Sequence, residues 1–163
     1  MKRIKNLVVG CTITSTDDAI SRYFEKYAPN VSDRFEALKQ LNKNGIKTYA
    51  FVGPLLPHYV ANSNELERIF EKLREVGTRD MFVEHLNLSP YIRNRLFTEM
   101  KDFDTEMLTK FYSSQLKSYR DELNEKLREL VKKYDMNLLT DRIIYHKEYQ
   151  QNPANEHPFK ELK

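Results

Sequence analysis

The sequence predicts an α/β protein with about three parallel strands and a long helix near its carboxyl end. Two observations predict this class: β-branched and aromatic runs alternate with helical segments through the first 100 residues, and residues 105–134 then contain neither Gly nor Pro. Alternating strands and helices favour a parallel sheet with right-handed crossovers. We therefore divide the chain into a βα-rich part, residues 1–103, and a helical extension with a polar tail, residues 104–163, within one domain.

The first strand and its helix lie within residues 5–27. Residues 5–13 form a short apolar run rich in Val and Ile, which is typical of a strand buried on both faces. Asp17 and Asp18 provide a cap and negative charge for a helix over residues 17–27, and Pro29 stops it.

A second helix and a second strand follow. Ser32 can cap this helix and Gly45 ends it, because glycine readily adopts the left-handed conformation at which helices close. Its apolar residues are spaced three apart at Phe35, Leu38 and Leu41. Residues 46–52 are β-branched and aromatic, which predicts the second strand.

The same pattern occurs a third time. Asn62 or Ser63 caps an amphipathic helix that Gly77 closes. The apolar positions of this helix are Leu66, Ile69, Phe70, Leu73 and Val76. Residues 81–88 predict a third strand, and Pro90 opens another helical stretch.

The helical extension is predicted from spacing alone. Leu and Tyr residues recur every three or four positions through residues 105–134, which predicts about 30 residues of helix, roughly 45 Å long, either unbroken or kinked. Its apolar stripe could pack across the open edge of the sheet, the arrangement we favour, or pair with a second copy as a coiled coil. Residues 136–146 predict a final strand or helix, and the polar tail after them is expected to fray.

Composition and charge exclude several classes of protein. The net charge of +3 comes from 27 basic and 24 acidic residues that alternate in sign, which indicates a mixed solvated surface. No run approaches the roughly 20 apolar residues of a membrane span, and no signal-peptide pattern is present, so we expect a cytoplasmic protein. Cys11 is the single cysteine, and one thiol cannot hold a zinc ion or an iron–sulfur cluster.

Candidate binding residues lie where the predicted strands end, because ligands of parallel α/β folds bind at the carboxyl ends of strands. Residues 12–16 supply hydroxyls that could hydrogen-bond a sugar or a carboxylate. Gly53 and Pro54 permit close backbone approach in a stiff turn. The alternative is that the hydroxyls only satisfy the turn and cap the next helix.

Charged and histidine side chains give weaker signals. Glu25 and Arg34 fall near the same edge and could reach a polar ligand, or form a surface ion pair. The four histidines lack metal-ligand spacing, so we assign no metal ligand and no catalytic residue. In residues 81–88, alternation places His85 and Asn87 on one face, which in a barrel could be the polar lumen.

One stretch resembles a known family. VGCTITSTDD, followed by YFEKYAPNVSDRFEALKQLNKNGIKTYAFVGPLLP, is similar to the second half of the radical SAM core, in the branch related to spore photoproduct lyase. In that branch a strand ends in a Ser/Thr-Ile-Thr-Ser/Thr segment, and an "E…AP…xR(F/L)EAL" segment, a "GI" and a strand ending in "PxxP" follow. The resemblance covers roughly residues 5–90.

The resemblance implies a fold and a cofactor. The family forms a partial TIM-type (β/α) barrel, so the three strands would be half of that barrel. S-adenosylmethionine binds there to a 4Fe–4S cluster on a CxxxCxxC loop and yields a 5′-deoxyadenosyl radical that abstracts a hydrogen atom. The resemblance places the cofactor's ribose or methionine near Thr12 and Thr14, its adenine near Val52, Gly53 and Pro54, and its carboxylate near Arg34.

This chain departs from the family in lacking CxxxCxxC. We therefore expect the carboxyl-terminal half of a radical SAM protein, inactive alone, with the cluster on a missing segment or on a cysteine-bearing amino-terminal half-barrel. Such a half could arise from a split or frameshifted gene, from a start codon assigned too late, from deliberate shortening of a longer protein, or as one subunit of a two-chain enzyme. The alternative is a non-catalytic binding or assembly module that forms homo-oligomers through its open edges, and nucleic-acid binding along the long helix is a third hypothesis.

Overall fold

The computed structural model describes residues 4–58, 60–61, 63–99, 110–111 and 113–146. The strands are β1 (Val8–Ile13), β2 (Lys47–Leu55), β3 (Asp80–His85) and β4 (Asn137–Leu138). The helices are α1 (Asp18–Phe24), α2 (Val31–Lys43), α3 (Ser63–Glu75), α4 (Pro90–Glu99) and α5 (Lys117–Lys133). The predicted α/β class is confirmed.

The strands form one parallel sheet in the order β1-β2-β3-β4. The prediction of about three strands was short by one: residues 137–138 pair with β3, and Ile144 makes a further parallel bridge to Glu84. Residues 136–146 therefore contribute to the sheet, which settles the choice between strand and helix that the sequence left open.

Because successive strands are neighbours and crossovers between parallel strands are right-handed as a rule, we infer that the connecting helices lie on one face of the sheet. Alternate strand residues on this covered face, such as Ala50, Val52, Met81 and Val83, are fully buried. They share one core with the apolar stripes of the helices, including Leu38, Ile69, Phe70, Leu73, Leu123 and Leu127.

The opposite face of the sheet has no helix layer among the described residues, and we call it the open face. Gly10 and Thr12 of β1 are exposed there, and the rings of Tyr49, Phe51 and Phe82 are half-buried. Phe82 lies between the other two rings, with ring centroids 5.7 Å from Tyr49 and 6.1 Å from Phe51. The prediction that residues 5–13 are buried on both faces was therefore wrong, because in the described part of the chain the helices cover one face and β1 lies at the sheet edge.

Several predicted helix boundaries are confirmed. Asp17 caps α1 by accepting a hydrogen bond from the Ala19 amide, and Gly45 and Gly77 have φ values of 74° and 83° after α2 and α3. The Ser32 cap was wrong, since α2 begins at Val31 with Asn30 in the cap position. The Ser32 hydroxyl instead donates to Asp18 Oδ2 at 2.7 Å and ties α2 to α1.

The predicted helix over residues 105–134 is interrupted at residues 114–116 in the structure, as in the kinked alternative: residues 110, 111 and 113 are helical before the interruption. Its carboxyl-terminal part is α5, and Leu116 immediately before it is extended, with φ −63° and ψ 141°. The Ser113 and Ser114 hydroxyls donate to the carbonyls of Lys110 and Phe111, at 2.8 and 2.6 Å. Such bonds compete with helix propagation, which explains the break. Residues 100–109 and 112 of the prediction, and the tail after residue 146, lie outside the described residues.

Candidate functional site

A cavity of about 440 Å³ lies at the carboxyl ends of the strands, between α1 and α4. This volume is in the range of small-molecule sites. Its lining is mostly apolar, with Ile20, Phe24, Leu56, Leu86 and Leu96 among the contributing residues. The rule that ligands bind at the carboxyl ends of parallel strands therefore predicted where this cavity lies.

Thr14 and Glu25 supply polar groups to this apolar cavity. Thr14 is 3% exposed, and its hydroxyl donates to Glu25 Oε2 at 2.8 Å. The Ser21 hydroxyl donates to the same oxygen at 3.1 Å. The end of β1 and the end of α1 are thereby joined through one carboxylate.

Arg34 balances the charge of Glu25. Its Nη2 lies 3.0 Å from Glu25 Oε2, and the two side chains are 10% and 25% exposed, so this ion pair is more buried than the surface pair that the sequence suggested. Arg34 also donates to the carbonyls of Pro29 and Thr12, at 2.8 and 3.0 Å. It therefore holds the end of β1 against the start of α2.

Glu65 is a site residue that the sequence did not reveal. It lies in the first turn of α3 and is 8% exposed. Its Oε1 accepts hydrogen bonds from the Ser15 hydroxyl at 3.2 Å, the Thr16 hydroxyl at 2.7 Å and the Thr16 amide at 2.8 Å. In a parallel α/β fold the helix amino termini adjoin the strand ends, and this is the one signal that could have indicated Glu65.

The second predicted strand end divides into buried and cavity-lining residues. Pro54 lines the cavity, while the Val52 side chain is fully buried on the covered face. Gly53 lies against Glu84, since a Cβ at residue 53 would be 2.9 Å from the Glu84 carbonyl oxygen. Of the residues assigned to S-adenosylmethionine, Thr14 and Pro54 line the cavity. Arg34 forms an ion pair with Glu25, which also lines the cavity. Thr12 lies apart, exposed on the open face.

His85 is not in a lumen, which corrects the prediction for this residue. It is 1% exposed on the covered face, with its ring centroid 6.0 Å from that of Tyr119 in α5 and 5.3 Å from that of Tyr145. Burial lowers the pKa of His85 to about 4, although its hydrogen bond with the Leu86 carbonyl acts in the opposite direction. His85 is therefore a neutral core histidine at neutral pH.

A potential metal ligand, the Cys11 thiol, lies half-buried in β1. Burial raises the pKa of the Cys11 thiol, and the charge of Arg34 opposes this shift. No group of three or more His, Cys, Asp or Glu side chains that could hold a metal ion occurs among the described residues. Since a 4Fe–4S cluster needs several thiolates, the residues present do not fit one.

The helices in the described ranges include none that is long and apolar enough to cross a lipid bilayer.

Comparison with known proteins gives a partial match. The chain is similar to uncharacterized protein MJ0683 of Methanocaldococcus jannaschii, with 32% identity over 87 residues, which are 53% of this chain and 32% of that protein. The chain therefore matches about a third of the length of this curated relative. No family model matches the chain, and no solved structure matches it.

Proposed function

We propose that the chain is the carboxyl-terminal half of a radical SAM barrel and contributes strand ends that contact S-adenosylmethionine. The 4Fe–4S cluster would lie on a missing segment or on a cysteine-bearing partner chain. The observation that carries this proposal is the cavity at the carboxyl ends of β1 and β2, with Thr14 and Pro54 in its lining. When bound to a complete barrel, S-adenosylmethionine supplies the radical that abstracts hydrogen.

The topology supports the half-barrel component of the proposal. Strand order β1-β2-β3-β4 with helices on one face is the arrangement of consecutive units in a (β/α) barrel. Doubly wound sheets instead reverse strand order and carry helices on both faces. In the proposed barrel the open face, with Thr12 and the three aromatic rings, would face the lumen. We also retain a cytoplasmic location as part of the proposal.

In this proposal, the chain's own residues hold and orient the cofactor. Thr14 would accept a hydrogen bond from S-adenosylmethionine, and Pro54 would pack against the adenine ring of the cofactor. Glu25 and Arg34 hold the end of β1 in place, so they would keep Thr14 in position while the cofactor binds.

The test begins with the isolated chain under anaerobic iron and sulfide reconstitution. We expect no bound iron, no visible cluster absorbance and no cleavage of S-adenosylmethionine. A load of four irons per chain would contradict the assignment of the cluster to another segment. The Cys11→Ser variant is the matched control, because its iron content should equal that of the wild type.

The second step uses the neighbouring genomic sequence. We expect an upstream reading frame with CxxxCxxC on a βα-rich segment of about 110–150 residues, the length of three βα units. The co-expressed pair should release 5′-deoxyadenosine from S-adenosylmethionine, and Thr14→Val in this chain should weaken cofactor binding, whereas Thr98→Val on the exposed side of α4 should not. A pair that binds a cluster but leaves the cofactor intact would refute the radical SAM assignment.

A second candidate function is a binding or assembly module that self-associates through its open face and its edge strand β1. The observation that favours it is the open face itself, where the rings of Tyr49, Phe51 and Phe82 are half-buried beside the edge strand β1. Edge strands and exposed apolar surface promote association. A monomer in light scattering would count against this candidate.

A further inference from the structure

We propose that the Thr14 hydroxyl, in the loop between β1 and α1, presents to the cavity a hydrogen-bond acceptor and no donor. It would then select a ligand group that donates hydrogen bonds, a hydroxyl or an ammonium, over a carboxylate or a phosphate. The inference deepens the proposed function and rests on it only for the identity of the whole ligand. It assigns Glu25 and Glu65, two residues on different helical segments, the role of fixing this selectivity.

The shortest hydrogen bond that each loop hydroxyl donates goes to a carboxylate; the Thr14 hydroxyl also lies 3.5 Å from Ser21 Oγ, a longer contact. Thr14 donates to Glu25 Oε2 at 2.8 Å, and Ser15 and Thr16 donate to Glu65 Oε1 at 3.2 and 2.7 Å. A carboxylate has no proton to give, so the shared proton in each bond belongs to the hydroxyl. Each hydroxyl has one proton and two lone pairs. Because the proton is already donated to the carboxylate, the hydroxyl oxygen can only accept a hydrogen bond from a ligand.

Two backbone amides of the loop and one in the first turn of α1 are also engaged. The Thr16 amide donates to Glu65 Oε1 at 2.8 Å, the Asp17 amide to Ser15 Oγ at 2.9 Å, and the Ala19 amide to Asp17 Oδ1 at 2.7 Å. Amides at a helix start are the usual donors to bound anions. Here the protein's own oxygens occupy these three amides, which makes them unavailable to an anion.

Cations near the loop do not restore donors to it. Arg34 directs its guanidinium at Glu25 and at the carbonyls of Pro29 and Thr12. Lys26 and Arg95 line the cavity from outside the loop, in the segment after α1 and in α4. An anion attracted to these two cations would bind in the same cavity without using the loop, so the test must include an anionic probe.

Burial makes the acceptor character of Thr14 selective. Its side chain is 3% exposed and lines the cavity with Glu25, among apolar residues. A donor placed there gains a hydrogen bond, whereas an anion would lose its hydration and face oxygen lone pairs. Glu65 does not line the cavity; it is a positioning residue that holds Ser15 and Thr16 and so fixes the loop on which Thr14 lies.

The test uses four small probes that share a benzene ring: benzylammonium, benzyl alcohol, benzoate and toluene. Their binding to the full chain is measured by amide chemical-shift titration. We expect both donor probes to bind at least about tenfold more tightly than benzoate, and benzyl alcohol more tightly than toluene. Benzoate binding as tightly as benzyl alcohol would overturn the proposal, and so would a benzylammonium preference with benzyl alcohol no better than toluene.

Variants assign the selectivity to the loop. Thr14→Val removes the acceptor oxygen at similar shape and should abolish the preference of benzyl alcohol over toluene, and Thr14→Ser should restore it. Thr98→Val on α4 is the matched control and should change nothing. Glu25→Gln places an amide donor beside Thr14 and should raise benzoate affinity several-fold, which keeps the proposal testable if Thr14→Val does not fold. An unchanged preference in folded Thr14→Val, or in Glu25→Gln, would overturn it.

The outcome can be separated from that of the proposed function. A donor preference among the probes, together with failure of the co-expressed pair to cleave S-adenosylmethionine, would refute the function and leave the inference standing. An anion preference together with cofactor cleavage would refute the inference alone.

Discussion

Gly53 lies directly against the backbone of Glu84 in the neighbouring strand, at the point where the pairing of β2 and β3 shifts register. A Cβ at residue 53 would be 2.9 Å from the Glu84 carbonyl oxygen and 3.1 Å from the Glu84 Cβ. The absence of a side chain at this strand end is therefore required by the sheet itself, whatever ligand the cavity holds.

Gly53→Ala should destabilise the protein by about 2 kcal/mol, because the backbone of β3 must move to admit the methyl group. Urea denaturation gives the free energy of unfolding. Gly10→Ala is the comparison, because the nearest atoms that the added methyl would meet there belong to the Tyr49 ring, a side chain, and none of them to the backbone. Equal stabilities of wild type and Gly53→Ala would show that the close approach is relieved without cost.

Arg34→Ala should destabilise by about 2 kcal/mol, because it leaves the Glu25 carboxylate half-buried without its cation. The double variant with Glu25→Gln should recover part of this loss, since the uncompensated charge is gone. Lys39→Ala serves as the control, because Lys39 and Glu36 form an exposed pair whose loss should cost under about 1 kcal/mol. Additive losses in the double-mutant cycle would rule out coupling between Glu25 and Arg34.

Stability should fall as the pH decreases from 6.5 towards 4, in part because of His85. Its pKa is lowered from 6.5 to about 4 by burial, so the unfolded chain takes up a proton in this window before the folded protein does. The linked loss is at most about 3 kcal/mol, is absent above pH 6.5, and levels off below the folded pKa. We expect His85→Gln to show a shallower pH dependence of unfolding between these limits; parallel wild-type and variant profiles would exclude His85 as the source.

The isolated chain should self-associate through its open face and its edge strand β1. Val8 of β1 is 48% exposed at the edge of the described sheet, beside the open face. Val8→Lys should reduce the mass measured by light scattering, because a charge on an edge strand opposes strand pairing. Leu116→Lys, at an exposed apolar residue just before α5, is the control and should leave the mass unchanged. A wild-type monomer at all concentrations would count against this prediction and against the assembly module.

Local chemistry explains why much of the fold was predictable. The β-branched runs became β1, β2 and β3, and Asp17, Gly45 and Gly77 mark helix ends where their side-chain and backbone preferences place them. Helix α3 followed its apolar spacing from Leu66 to Leu73. Each of these features depends on residues within a few positions of one another, which a sequence displays directly.

The sequence by itself determined the α/β class, the order of the elements and the strand ends at which the cavity lies. Only the tertiary structure decided that Glu65 reaches Thr16 across 49 positions, that the His85 side of β3 lies under α5, and that residues 137–138 join the sheet. The reason is physical: helix caps and strand runs are settled by near neighbours, whereas a long-range hydrogen bond, or the face that a helix covers, depends on how distant segments pack.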